Sequence, residues 1–445
     1  MAGSVAAAYL AKAGFKTVAY EKTPYWGGAR FGSRVVGGCK TDRIIRLLTV
    51  DVRNGIGYLG RAAKETGARV RWQYLENSAV CVQGVHGPGE YMLLSCCCNG
   101  AAFAEMFTKL VPLPPTEVAH LAKVYDALRE ISEEEMEKMD NIPFREWLNA
   151  QTDSEAVRAL FHKVNNTLIV GGSENASVPG IFGVAISMFT GDSNYGFSAD
   201  GASDEIPGAF IRIAEEYGGE YKLEHEVKKV IVENKTAKGV VVRGPDGAEK
   251  IVAADCVIIN SEIDSIAGLL GDDLPQDVSA ALKSLHRADE YGISVAFAVD
   301  EDFWNPLPSQ TIVVTPQFDF LTTFIYPDRY VRSLSPKGKQ CILAGAFLAP
   351  DVYATKTKEQ WVSYYRDLLE ERAPGIKKKI YAEDCIVYRY PAYYGLFYGP
   401  KVATKSSTIQ NLHFTGDYTQ APGVIGERAI ASAMIAAKNI IAEKK

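Results

Sequence analysis

The sequence has no run approaching the ~18 consecutive apolar residues of a membrane span, no C-x-x-C pair or metal-ligand spacing, and no surplus of basic charge. The first absence removes a transmembrane helix, although a peripheral contact with a membrane stays compatible with the composition. The second removes a cysteine-held metal. The eight cysteines are Cys39, Cys81, Cys96, Cys97, Cys98, Cys256, Cys341 and Cys385. Three adjacent cysteines do not readily bridge one another, so all are read as reduced, mostly buried thiols of a cytoplasmic protein. The third absence, a formal charge of -6, argues against nucleic acid, which calls for a basic face. A secretory signal peptide is also missing: the start carries no basic segment, and its Ala-rich run reads as an amphipathic helix. The sequons at Asn165, Asn175 and Asn234 are therefore read as chance matches. The six histidines are scattered and form no metal or triad pattern.

What is present is a chain of 445 residues, 47% hydrophobic. That suffices for a sizeable core in roughly two to three domains, or two with interleaved segments. Its most telling stretch is the start. Met1-Ala2-Gly3-Ser4 runs into an Ala-rich helical pattern ending at Gly14, then Thr17-Val18-Ala19-Tyr20 closes on Glu21. Helix, turn, strand and acid make the second half of a dinucleotide-binding βαβ unit. There G-x-G-x-x-G opens the helix, and an acid about 20 residues on bonds a ribose hydroxyl. Gly3 fits the third glycine of that fingerprint. The first strand and first two glycines are expected upstream of Met1, so the chain is expected to be a fragment or to have a misassigned start, with weakened cofactor binding.

Further along, Gly27-Gly28-Ala29-Arg30 follows Glu21. Paired glycines let backbone approach a ligand, and an Arg beside them suits a phosphate or a negative ring. Residues 54–67 read as a helix and 69–74 as a strand. The text from about 100 to 195 is mostly helical, with the charged run Ser132-Glu133-Glu134-Glu135-Met136-Glu137 read as a solvated helix side and a capping pattern at Thr152-Asp153-Ser154-Glu155. Residues 206–217 read as a helix. Strands follow at 227–233, 239–243 and 249–252, with Pro245-Asp246-Gly247 as a hairpin turn. A buried strand at 254–260, alternating strands over 291–350 and a helix at 358–371 come next. The chain closes with Thr415-Gly416-Asp417, then Pro422-Gly423-Val424-Ile425-Gly426 opening a helix to about 442. A helix start presents free N–H groups and partial positive charge, which suits an electron-rich ligand edge.

Both ends together resemble the FAD-dependent amine-oxidase and phytoene-desaturase superfamily. If Gly3 is the sixth fingerprint position, Glu21 is the twenty-fourth, as in that family. Gly27-Gly28-Ala29-Arg30 resembles its G-G-R-x-x-S/T motif, with Ala29 at the Arg position. Glu226-Val227 resembles the segment whose backbone holds adenine, and Thr415-Gly416-Asp417 with 423–437 resembles the C-terminal FAD motif. The resemblance implies an α/β fold: a Rossmann-like FAD-binding domain, lacking its first strand, interleaved with an α+β substrate domain. The expected FAD-domain pieces are 1–85, 205–265 and 405–445, and the substrate-domain pieces are 86–204 and 266–404. It implies non-covalent FAD on Gly3, Glu21, Lys22, Gly27, Gly28, Ala29, Arg30, Val227, Gly416, Asp417, Gly423, Val424 and Ile425.

The fold does not set the reaction. Many amine oxidases of the family carry a Lys ten residues before a Phe-Trp pair. Here Phe303-Trp304 is preceded at that distance by Ser294. The tyrosines Tyr388, Tyr390, Tyr393, Tyr394 and Tyr398 read either as a substrate-cavity wall or as core aromatics. Tyr394 and Tyr398 are the preferred wall residues, and Phe318, Phe320, Phe324 and Tyr326 are expected beside them. An aromatic pocket suits an apolar small-molecule substrate. Three readings follow. The first is an FAD-dependent desaturase or reductase acting on a C–C bond. The second is an amine oxidase acting on a C–N bond. The third is a truncated relative without catalysis. The substrate, direction, electron acceptor and oligomeric state are not written in the sequence.

Overall fold

The computed structural model describes the chain except residues 45–56, 75–77, 95–96, 98, 110–112, 169–175, 183–195, 199–200, 285–288, 301–309, 316–319, 327–330, 392–396 and 445. The chain opens with the helix Ala2–Lys12, which is buried on almost every side. Its small residues permit this: Ala7 and Ala11 meet Ala214 of the helix Glu205–Glu216. Val5, Ala6 and Ala8 join Ile430, Ala433, Met434 and Ala437 of the C-terminal helix Ile425–Lys444. The helix stops at Gly14, whose φ of 91° suits only glycine without strain.

The chain then turns into the strand Val18–Tyr20, which pairs in parallel with Glu220–Lys222. A second parallel pair joins Val257–Ile259 to Leu412–Phe414. Among the described residues the two pairs are not hydrogen-bonded to one another. The strands expected at 227–233, 239–243 and 249–252 form a three-stranded antiparallel sheet. Its first turn runs through Asn234 and Lys235, both at positive φ, the geometry of a tight hairpin. Gly247, at φ 78°, donates to the Gly244 carbonyl in the second.

A seven-stranded sheet forms the other large layer. Its order is Ile380–Pro391, Asp289–Asp300, Lys339–Leu348, Phe320–Ile325, Gln310–Thr315, Ser78–Val82 and Met92–Leu94. Strand Asp289–Asp300 shows the period-2 logic of a sheet buried on both faces. Ile293, Val295, Phe297 and Val299 pack with Trp361, Tyr365, Leu368 and Leu369 of the helix Lys358–Arg372. The alternate residues Ala296 and Ala298 meet Val36 and Cys39 of the hairpin Ser33–Val36/Cys39–Asp42. Strand Ser78–Val82 pairs with Gln310–Thr315, although the sequence put residues up to 85 in the cofactor piece. We therefore propose that the first domain boundary lies ahead of Ser78.

The helical stretch expected after residue 100 is present. Phe103 stacks on Tyr125 at 4.0 Å, and both share a core with Phe144 and Phe161. Ser132 and Glu135 form the reciprocal cap of the helix Glu133–Lys138. Ser154 Oγ accepts from Val157 N at the start of Glu155–Leu168. The helix expected over 54–67 is described as Tyr58–Thr66 and ends at Gly67, φ 87°. No helix among the described residues is long and apolar enough to cross a membrane.

Candidate cofactor site

The C-terminal ends of strands Val257–Ile259 and Leu412–Phe414 meet the start of the first helix. Asn260 directly follows strand Val257–Ile259. Its Oδ1 accepts from Gly3 N at 2.8 Å, and its Nδ2 donates to the Thr415 carbonyl at 2.9 Å. One side-chain amide thus ties a helix N-terminus to the ends of two strands. A Cβ on Gly3 would lie 3.0 Å from that same Oδ1, so a larger residue would push the amide away. In open α/β sheets this edge is where ligands bind.

Glu21 ends the other parallel pair. Its Oε1 accepts from Thr23 N and Thr23 Oγ1, each at 2.9 Å. Among the described residues no partner is recorded for Oε2. Gly27 and Gly28 follow at φ 94° and 62°. A Cβ on Gly27 would sit 2.4 Å from the Phe31 carbonyl oxygen, whereas one on Gly28 would meet nothing within 4 Å. Tight backbone lies behind the first glycine and open space in front of the second. The loop is anchored by Trp26 Nε1, which donates to the Asp204 carbonyl at 3.2 Å, and by Ser33 Oγ, which donates to Asp204 Oδ2 at 2.8 Å.

From the C-terminal side, Gly416 stands at φ 148°, its N–H donating to Ser432 Oγ at 2.9 Å. A Cβ there would reach 2.5 Å from the Tyr418 ring. Asp417 is half-buried. Gly423, at φ 87°, turns the chain into the helix that starts at Ile425. Two buried hydroxyls close the outline: Ser261 Oγ and Thr415 Oγ1 have no hydrogen-bond partner among the described residues, and Thr415 is fully buried. An orphaned buried hydroxyl costs about 1–3 kcal/mol. A ligand carrying acceptor oxygens along this strand edge would remove that cost. Glycine-lined backbone, a ribose-type acid, a helix start and orphaned hydroxyls together fit an anionic dinucleotide.

Other expected residues fall differently. Lys22 is exposed and Val227 half-buried on its strand. The side chains of Ala29, Arg30 and Ile425 lie outside the described part, as do Tyr393, Tyr394, Phe303, Trp304 and Phe318. Tyr398 is half-buried. Phe324 and Tyr326 are fully buried in the core with Trp361 and Tyr365. Tyr388 lies across Gly292, whose Cβ would sit 2.1 Å from the ring; a glycine there is what makes room for it.

Ser294 is fully buried, and Arg34 reaches it. Arg34 Nη2 donates to the Ser294 carbonyl at 3.0 Å and to Oγ at 3.1 Å, while Nη1 pairs with Asp384 at 2.9 Å. Burial pulls the Arg34 guanidinium below its ordinary value, and Asp384 opposes that. The sequence reading missed Arg34 and Asn260. Each acts on a partner more than 200 residues away, and no local pattern marks either.

Residues 1–441 match the family model described as "Flavin containing amine oxidoreductase". The chain belongs to this family. It is an FAD-dependent oxidoreductase. Among solved structures it resembles an oxidoreductase from Methanosarcina mazei (20% identity, 98% of each chain covered, TM-score 0.72). It also resembles cyclohexylamine oxidase from Brevibacterium oxydans (13% identity, 99% and 96% covered, TM-score 0.64). A third likeness is to a protein from Exiguobacterium sp. assigned as a protoporphyrinogen oxidase (16% identity, 99% and 97% covered, TM-score 0.66). A search of curated proteins finds no match.

Proposed function

We propose that this flavin-containing oxidoreductase oxidises or reduces a C–C bond of an apolar small molecule, as a desaturase or reductase. The observation that carries the reading is Ser294. It stands where amine-oxidising relatives are expected to present a lysine, and its hydroxyl and carbonyl are both engaged by Arg34. Bound FAD supplies the hydride chemistry. The chain's own residues do the rest. Glu21 bonds the adenosine ribose, and Gly27-Gly28 admit the cofactor to the backbone. Gly416 and Asp417 meet the ribityl-pyrophosphate region. The helix start at Gly423 to Ile425 turns its N–H groups towards developing negative charge. Tyr398 shapes the substrate cavity and is no strong base, since a free tyrosine titrates near ~10.

Amine oxidation is the second reading, favoured by the likeness to cyclohexylamine oxidase. Anaerobic mixing with two panels, amines and saturable or unsaturated apolar compounds, separates them. Flavin bleaching by apolar compounds is the expected result. Bleaching by amines alone, with peroxide on readmitting air, establishes the second reading instead. A purified protein that takes up no flavin excludes both.

A further inference from the structure

Beneath the C-terminal flavin motif lies a buried cluster of three charges that no motif marks. Arg428, on the first turn of the C-terminal helix, and Lys401 are both nearly inaccessible, with side chains 2% and 4% exposed. Asp140, which follows the helix Glu133–Lys138, serves both. It accepts from Arg428 Nη1 at 2.9 Å and Nη2 at 2.6 Å, a two-pronged pair, and from Lys401 Nζ at 2.8 Å.

The cluster grips the flavin loop. Arg428 Nε donates to the Gly423 carbonyl at 2.8 Å, and Nη1 reaches the Thr419 carbonyl at 3.5 Å. The backbone at Lys401 runs alongside the same loop: Val402 N donates to the Tyr418 carbonyl, and Gln420 Nε2 to the Lys401 carbonyl. Asp140 thereby links the helical part of the chain to both sides of residues 416–424.

Two cations share one carboxylate, so the cluster carries one positive charge in excess. Glu427, beside Arg428, directs its carboxylate to the backbone N–H groups of Tyr58 and Leu59. Burial and then the Arg428 charge hold the Lys401 ammonium below its ordinary value, and Asp140 opposes them. The loop that the cluster grips is the one read as meeting the flavin.

We infer that Arg428, Lys401 and Asp140 are positioning residues that hold the flavin loop and set its electrostatic field, their surplus positive charge favouring the reduced, anionic flavin. The inference rests on the cofactor reading above. It deepens that reading by naming residues that tune the cofactor's affinity for electrons.

The test is the flavin midpoint potential of the holoenzyme, measured by dye equilibration for the unaltered chain, Asp140→Asn, Lys401→Met and Lys401→Arg. Flavin content is measured first by heat release. Asp140→Asn adds one net positive charge and should raise the potential. Lys401→Met removes one and should lower it, and Lys401→Arg should sit with the unaltered chain. A tenfold change in the two-electron equilibrium is about 30 mV, and shifts of at least that size in opposite directions are expected. A purely structural cluster would move both variants the same way or neither, and that result overturns the inference while the flavin reading stands. An unaltered chain that releases no flavin overturns the reading and the inference together.

Discussion

At the scale of single residues, the most informative are those whose chemistry is unfinished. Thr415 Oγ1 is fully buried without a partner among the described residues. Its replacement by the isosteric valine should therefore stabilise the cofactor-free protein, by up to about 1–3 kcal/mol, the scale of an unsatisfied buried group. The same change should weaken FAD binding. Urea denaturation of the cofactor-free chain and FAD titration read the two halves. A valine variant less stable without FAD would mean that the hydroxyl already has a partner. Asp140 gives a pH signature. Burial alone would raise its carboxyl, but the hydrogen bonds and charges of Arg428 and Lys401 outweigh burial and hold it below the ordinary value. Its folded value is thus depressed. The stability it adds is fully present above the unfolded value of ~3.9 and is lost as the pH falls through the lower folded value. Melting curves of the unaltered chain and Asp140→Asn should be far apart at pH 7 and converge below pH ~4. A gap that stays constant to pH 3 would show that Asp140 is not the titrating group.

Residues that serve backbone geometry were legible in the sequence. Glycine at positive φ or under close contact leaves a local mark, which is why Gly3, Gly27, Gly416 and Gly423 could be picked by spacing alone. Residues that serve a distant partner were not. Asn260 is an ordinary polar strand end until Gly3 and Thr415 stand beside it. Arg428 is an ordinary helix arginine until Asp140 arrives from 288 residues earlier.

At the scale of elements, local signals fixed type better than neighbourhood. Strands 227–233 and 239–243 and the helix at 358–371 emerged close to their expected limits, because alternation, turn residues and the Thr357–Gln360 cap all agree there. Which sheet a strand joins is set by tertiary pairing, and so Ser78–Val82 fell in the larger sheet. The first helix shows how composition fits an element to its place. Ala11 is 1% exposed against Ala7 and Ala214, with no room for a longer side chain. Ala11→Leu should cost about 1–3 kcal/mol by overpacking. The loss cannot be charged to helix propensity, because leucine is nearly as good a helix former as alanine. An unchanged denaturation midpoint would mean that the helix face is looser than its burial implies.

At the scale of the whole molecule, the proposed cofactor site is assembled from three separate stretches of chain. These are the first helix with Glu21 and its glycine loop, the strand end at Asn260, and the segment from Thr415 to Arg428. The two parallel strand pairs that carry these stretches share no hydrogen bond among the described residues. Helix packing lies between them, and the amide of Asn260 ties the end of the second pair to the first helix. A dinucleotide lying across their ends would contact all three stretches at once, and so bind only the folded arrangement. Added FAD should then raise the melting temperature in a concentration-dependent way, corresponding to about 2.7 kcal/mol at a hundredfold excess over Kd. Hydrogen exchange should slow at Gly3–Ala8, Glu21–Gly28 and Thr415–Arg428 together. The seven-stranded sheet, whose strand Asp289–Asp300 is packed on both faces, should gain no protection beyond that global increment. Protection confined to one of the three stretches would mean that they do not form a single site, and a gain in the stretches no larger than that of the sheet would mean that FAD acts on global stability alone.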